Sequence, residues 1–328
     1  MQLETVPSFM LLLLAFLVVA VAAWVLGRRS IPVRRVRLPR DYLTALNHLV
    51  NERFELATEV IERLAASRTE QADIQLALGS LFRRRGEVAR ASEIHERLRE
   101  SSVTAIREQA TFELGLDYLA AGLLDRAELY FERSTSTAAY RELALDRLAW
   151  VYEQQRDFAS ALRVWHEMPV AMREARAATA GHYLCELAQQ SLLQGEVERT
   201  RTLLAEARTY DPDSARAFLL DARVAKRLGT IDASRVAWRR AFLANPSLRE
   251  AFLDEALQDA DAETRLAFLA TLPELRHLDS AAGITANRFR CGGCGLESVA
   301  WQWRCPGCRC WDTLVRSGSS QLSPRLMR

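Results

Sequence analysis

Between residues 41 and 276 apolar side chains recur at helical spacing, and no stretch alternates as a strand would. Alanine, leucine, arginine and glutamate dominate the region, and proline is scarce. The pattern predicts helices throughout. Beyond it the texture changes. Arg288-Phe289-Arg290, residues 299–303 (Val-Ala-Trp-Gln-Trp) and residues 311–314 (Trp-Asp-Thr-Leu) alternate and are aromatic or β-branched, which predicts a small ribbon of short strands. Residues 281–287, with Gly283, read as a hinge between the two regions.

The helical region repeats. Ala45, Gly79, Gly115, Ala149, Ala188 and Ala222 follow one another at 34, 36, 34, 39 and 34 residues. Twelve residues after each stands a second small or short residue: Ala57, Ala91, Ala127, Ala161, Thr200 and Ser234. Four further on, a large one follows in most repeats, including Phe131, Trp165, Leu204 and Trp238. Small residues let two helices approach, and the large one fills the gap toward the next pair. Gly86, Gly122, Gly195 and Gly229 mark turns, and Asp211-Pro212 and Asn245-Pro246 end helices. This period and layout are those of the tetratricopeptide repeat. A stacked array of this kind presents a face that binds other proteins.

Residues 9–26 form an uncharged apolar run, long enough to span a bilayer as a helix. Only Glu4 is charged before it, whereas Arg28, Arg29, Arg34, Arg35, Arg37 and Arg40 follow. A cleaved signal peptide would carry its positive charge ahead of the run. Positive charge beside a span stays cytoplasmic, so residues 1–27 are expected to be an uncleaved transmembrane anchor and 28–40 a basic cytoplasmic linker. Trp24 suits the membrane interface, and the body would lie in the cytosol.

The formal charge of +2 argues against nucleic acid as a partner. Lys226 is the single lysine and does not end a glycine loop, so no P-loop exists. No His-Glu-x-x-His or Gly-x-Ser-x-Gly motif occurs. His48, His95, His166, His182 and His277 are scattered, and each reads as a surface or groove residue. No catalytic residue is assigned, and the chain is not expected to be an enzyme.

Six cysteines change that picture in one respect. Cys291-Gly-Gly-Cys294, ten residues, and Cys305-Pro-Gly-Cys308 give two C-x-x-C pairs. That spacing places four thiolates around one tetrahedral ion, of zinc or iron. Gly293 and Gly295 are expected to supply positive φ, and Pro306 to preset the second turn. Disulfides or free thiols are the competing reading. A ribbon this small needs the ion for folding energy, and Trp301, Trp303 and Trp311 exceed what it can cover, so at least one should pack on the last helices. Cys310 reads as a bystander or occasional substitute ligand, and Cys185 as a core thiol.

These parts, in this order, resemble the lipopolysaccharide assembly protein B family. The most specific pieces are Pro39-Arg40-Asp41-Tyr42 leading into Leu46-Asn47, residues 114–127 (Leu-Gly-Leu-Asp-Tyr-Leu-Ala-Ala-Gly-Leu-Leu-Asp-Arg-Ala), and Trp303-Arg304-Cys305-Pro306-Gly307-Cys308-Arg309-x-Trp311. The resemblance implies an inner-membrane anchor, a cytoplasmic array at 41–276, a rubredoxin-like metal domain at 284–316, and one metal ion, described in that family as iron, on Cys291, Cys294, Cys305 and Cys308. The tail, 317–328, is read as disordered from its composition. The fold class expected is therefore all-α, a tetratricopeptide-repeat superhelix with a transmembrane helix before it and a small metal ribbon after it. The function implied is an adaptor that restrains lipopolysaccharide synthesis, helping an FtsH-type membrane protease degrade the lipid A pathway deacetylase, UDP-3-O-acyl-N-acetylglucosamine deacetylase. Other lipopolysaccharide assembly proteins and membrane lipid would be further partners. A scaffold gathering envelope-biosynthesis enzymes is the alternative. The ten-residue gap between the cysteine pairs is shorter than in true rubredoxins, so electron transfer does not follow from the resemblance.

Overall fold

The structure, a computed structural model, describes residues 16–21, 24, 44–45, 47–48, 51, 53–67, 72–258, 260–272 and 289–317. Of the expected anchor at 1–27, only residues 16–21 and Trp24 are among these, and they are helical and exposed. Among the described residues no helix is long and apolar enough to cross a membrane. The rest of the anchor, the linker 28–40, the hinge 281–287 and residues 318–328 of the tail lie outside the described residues.

Two compact units make up the chain, residues 1–81 and 82–328. In the first, α1 (Phe54–Ser67) buries Ala57, Val60 and Ile61. Helix α2 (Ala72–Arg84) buries Ile74, Leu76, Leu78 and Leu81 there. In the second, helices run on as α3 (Val88–Arg99), α4 (Thr104–Ala120), α5 (Leu124–Thr135), α6 (Arg141–Gln155) and α7 (Phe158–Glu167). The short α8 (Val170–Ala175) leads to α9 (Ala177–Gln194) and α10 (Val197–Tyr210). The last are α11 (Ala215–Arg227), α12 (Ile231–Ala244), α13 (Leu248–Ala256) and α14 (Ala262–Ala270). In the second unit the small-residue pairs fall on two consecutive helices, α4–α5, α6–α7, α9–α10 and α11–α12. The one long spacing, 39 residues from Ala149 to Ala188, is explained by α8, an extra turn and a half of helix lodged between pairs.

The small residues do what close packing requires. Ala127, Ala161, Ala188, Thr200 and Ala222 are fully buried. The Ser234 hydroxyl donates to the Ala222 carbonyl at 2.8 Å, so the two small positions of that pair touch. Gly115 lies under the Phe131 ring, where a Cβ would come within 2.6 Å of ring carbon. Gly86, Gly122, Gly195 and Gly229 all turn with positive φ between paired helices. At the same place between α6 and α7 stands Arg156, at φ 60°.

Two histidines, expected at surface or groove positions, are buried. His95 is fully buried, with Nδ1 2.5 Å from Asp117, itself fully buried and bound at 2.8 Å by Arg83. Burying a carboxylate demands such partners. His182 is also buried. Cys185 is a core thiol, and burial pushes it up to about 12.

After residue 288 the chain forms a three-stranded antiparallel sheet ordered β2-β1-β3: β1 (Phe289–Cys291), β2 (Glu297–Ser298) and β3 (Leu314–Arg316). Phe289 pairs with Ser298 on one side and Arg316 on the other. Residues 299–303, expected as strand, are not. They form the loop between the two cysteine pairs, and only Arg304 makes an isolated bridge, to Trp311. Their aromatic side chains pack on the helices, and Trp301 also lies against Phe289 of the ribbon.

Candidate metal centre

Two copies of one local turn build the site. Gly295 N donates to Cys291 O at 2.9 Å and Cys291 N to Leu296 O at 2.8 Å. Fourteen residues on, Arg309 N donates to Cys305 O at 2.8 Å and Cys305 N to Cys310 O at 2.9 Å. The fifth residue of each turn is left-handed: Gly295 at φ 75° and Arg309 at φ 61°. Gly293, expected to have positive φ, does not. A Cβ there would come only into ordinary contact with Cys308 Sγ, at 3.6 Å, so neither backbone angle nor space reserves the position for glycine.

The turns converge four sulfurs. Cys291, Cys294, Cys305 and Cys308 Sγ all lie within 4.8 Å of one another, with the Cys291–Cys308 and Cys294–Cys305 separations both 3.6 Å. Tetrahedral coordination with metal–sulfur bonds of about 2.3 Å separates sulfurs by about 3.8 Å, so the set fits one ion. Burial works against a thiolate at Cys291. The Thr313 hydroxyl, 3.2 Å away, and the amides of Cys294 and Gly293 outweigh it and lower the thiol to about 6. Burial is also the first cause that raises Cys305 and Cys308, and neighbouring thiols add to it. One sulfur is thus poised as an anion before a cation adds its own charge. Cys310 occupies in the second turn the place of Leu296 in the first, and it is exposed and outside the four-sulfur group.

The ribbon's own core consists of Phe289, Cys291, Cys305 and Leu314, so half of it is ligand. Trp301 closes this core edge-on against Phe289, centroids 5.5 Å apart, and all three tryptophans also reach the helices. Trp301 and Trp303 pack on the core of α9 to α14, and Trp311 on that of α4 to α9. Trp311 stacks on His182, centroids 5.0 Å apart at 13°. Glu153 of α6 takes the Arg304 guanidinium on Oε2, while its Oε1 accepts from the Tyr183 hydroxyl of α9 and, at 3.5 Å, from the Trp311 Nε1–H. The sequence offered no signal for Glu153, His182 or Arg216 as ribbon contacts, because their partners lie about 90 to 150 residues away.

The four cysteines therefore form a rubredoxin-like metal site, and comparison with known proteins agrees. The family of the rubredoxin metal binding domain matches residues 289–316. Lipopolysaccharide assembly protein B of Escherichia coli strain K12 is 28% identical over 92% of this chain and 97% of its own. The protein of that name from Haemophilus influenzae is 29% identical over 65% of this chain and 58% of its own. Among solved structures, the C-terminal part of a TPR repeat-containing protein from Cytophaga hutchinsonii covers 70% of this chain and 95% of its own, at 15% identity and a TM-score of 0.47. This chain is thus similar to lipopolysaccharide assembly protein B, along nearly the whole length of both chains in the Escherichia coli case, and it carries a rubredoxin-like metal domain at 289–316.

Proposed function

We propose that this chain is a non-enzymatic adaptor that restrains lipopolysaccharide synthesis from the inner membrane. The helix pairs hold the lipid A pathway deacetylase and present it to an FtsH-type membrane protease. Residues 9–26 anchor the chain, and the arginines that follow keep the body on the cytoplasmic side. Alignment with 97% of the Escherichia coli protein, rather than with its repeats alone, carries this reading. Four thiolates would saturate an ion of iron or zinc and leave no open position for substrate, which suits a structural rather than a hydrolytic metal. When bound, the ion supplies folding energy to the ribbon.

The test is deletion of the gene, with deacetylase followed by immunoblot. The adaptor reading expects the enzyme to accumulate and its half-life to lengthen. Unchanged abundance with loss of membrane localisation would instead establish a scaffold that gathers the enzymes of the pathway.

A further inference from the structure

A helical repeat array is held by contacts between neighbours, so each pair can shift relative to pairs further along. The ribbon breaks that rule in this chain. It touches α6 through Glu153 and Trp150, α9 through His182 and Tyr183, and α11 through Arg216. It also reaches the connection between α12 and α13, where Asn245 donates to Asp312 at 3.2 Å and the Arg316 amide to Ser247 at 3.1 Å. Three successive helix pairs, α6–α7, α9–α10 and α11–α12, and the connection after them are thereby tied to one small body.

The tie is made by residues that the ion would fix. Arg304 directly precedes Cys305 and Arg309 directly follows Cys308. Arg304 is steadied by donating from Nε to the Arg309 carbonyl at 3.0 Å, and it reaches Glu153 with its free end. Arg309 lies over Trp150, 5.1 Å from the ring centroid. Trp303 and Trp311 flank the Arg216 guanidinium at 5.4 and 5.8 Å, and Arg216, only 2% exposed, pairs among the described residues with the Glu186 carboxylate at 3.0 Å. Without the two indoles, that buried cation and Glu153 would lose much of their surroundings.

We propose that metal occupancy acts as a clasp, setting the rigidity of α6, α9 and α11 through the docked ribbon. The ribbon's core is half cysteine, so it holds its shape only when the four sulfurs are drawn together. Metal loading is then an input that the array feels some 150 residues away in sequence, at Glu153. The inference rests on the four-cysteine site and is independent of which client the array holds.

The experiment uses the full chain, loaded with zinc or stripped by chelator under reducing conditions, with hydrogen exchange followed by mass spectrometry. Metal content is measured first, and a chain that binds no zinc would remove the site and the clasp together. In the loaded chain, amides of α6, α9 and α11 should exchange roughly tenfold or more slowly than in the stripped chain, with α3 to α5 little changed. Glu153→Gln combined with Arg216→Met should keep one ion per chain at saturating zinc, yet exchange in those helices like the stripped protein. Bound zinc with unchanged exchange in α6, α9 and α11 would overturn the clasp while leaving the site intact. So would an equal change in α3 to α5, which would mark general destabilisation, or a double variant that exchanges like the loaded parent.

Discussion

Single residues set the turns, caps and close helix contacts of this molecule, and three of them can be tested alone. Arg156 holds φ 60° where the other joins of the second unit have glycine. A left-handed non-glycine residue costs about 1–2 kcal/mol, offset in part by the unfolded-state freedom a glycine adds. Arg156→Gly should therefore stabilise the chain by about 0.5–1 kcal/mol in urea denaturation. Gly115→Ala should do the opposite, by about 1–3 kcal/mol, because its Cβ would meet the Phe131 ring at 2.6 Å. Asp157 caps α7, accepting from the Ser160 amide at 3.0 Å and its hydroxyl at 2.6 Å. Burial disfavours its charge, but these bonds and the nearby Arg163 prevail and hold it below its ordinary value. A depressed carboxylate stabilises the fold above its unfolded pKa and loses that contribution as pH falls through the folded one. Asp157→Ala should thus cost about 1 kcal/mol at pH 7, and the gap to the parent should close below about pH 4. The glycine joins were legible in the sequence because positive φ selects a residue type. Arg156 and Arg309 were not, since nothing in their chemistry announces the left-handed region.

At the scale of elements, the helix pairs were legible through the buried small residues, which recur at fixed positions because helix approach leaves no room for anything larger. The irregular spacing before Ala188 was visible as a number, yet α8 could be placed only in three dimensions. The four-sulfur site was legible for a different reason: its ligands lie close in sequence, so spacing alone specifies geometry. Strand assignment across residues 299–303 failed because the same aromatic signal serves packing on distant helices. This origin of the aromatic signal bears on metal removal. The chain should bind one ion, and a Cys291→Ser, Cys305→Ser double variant should bind none by elemental analysis. Since the thiols must shed protons to bind, affinity should also fall as pH is lowered. Full occupancy in the double variant would show that the ion sits elsewhere.

For the whole molecule, the question is why an apolar run, an array and a metal ribbon share one chain. On the proposed function, tethering confines the array to a thin layer beneath the membrane and raises its effective concentration toward a membrane protease without any new contact. The sequence bears on this through the uncharged stretch at 9–26 and the six arginines within fourteen residues after it. A fragment beginning at Asp41 should then fold, keep its metal and bind the deacetylase, yet fail to lower deacetylase levels in cells. Replacing residues 1–27 with an unrelated single span of the same orientation should restore turnover, because the tether and not its sequence supplies the concentration. Both forms would be expressed at native level in a deletion strain and deacetylase followed by immunoblot. Restoration by the untethered fragment would make the membrane dispensable. The array would then act as a soluble regulator, and the positive charge behind the apolar run would need another explanation.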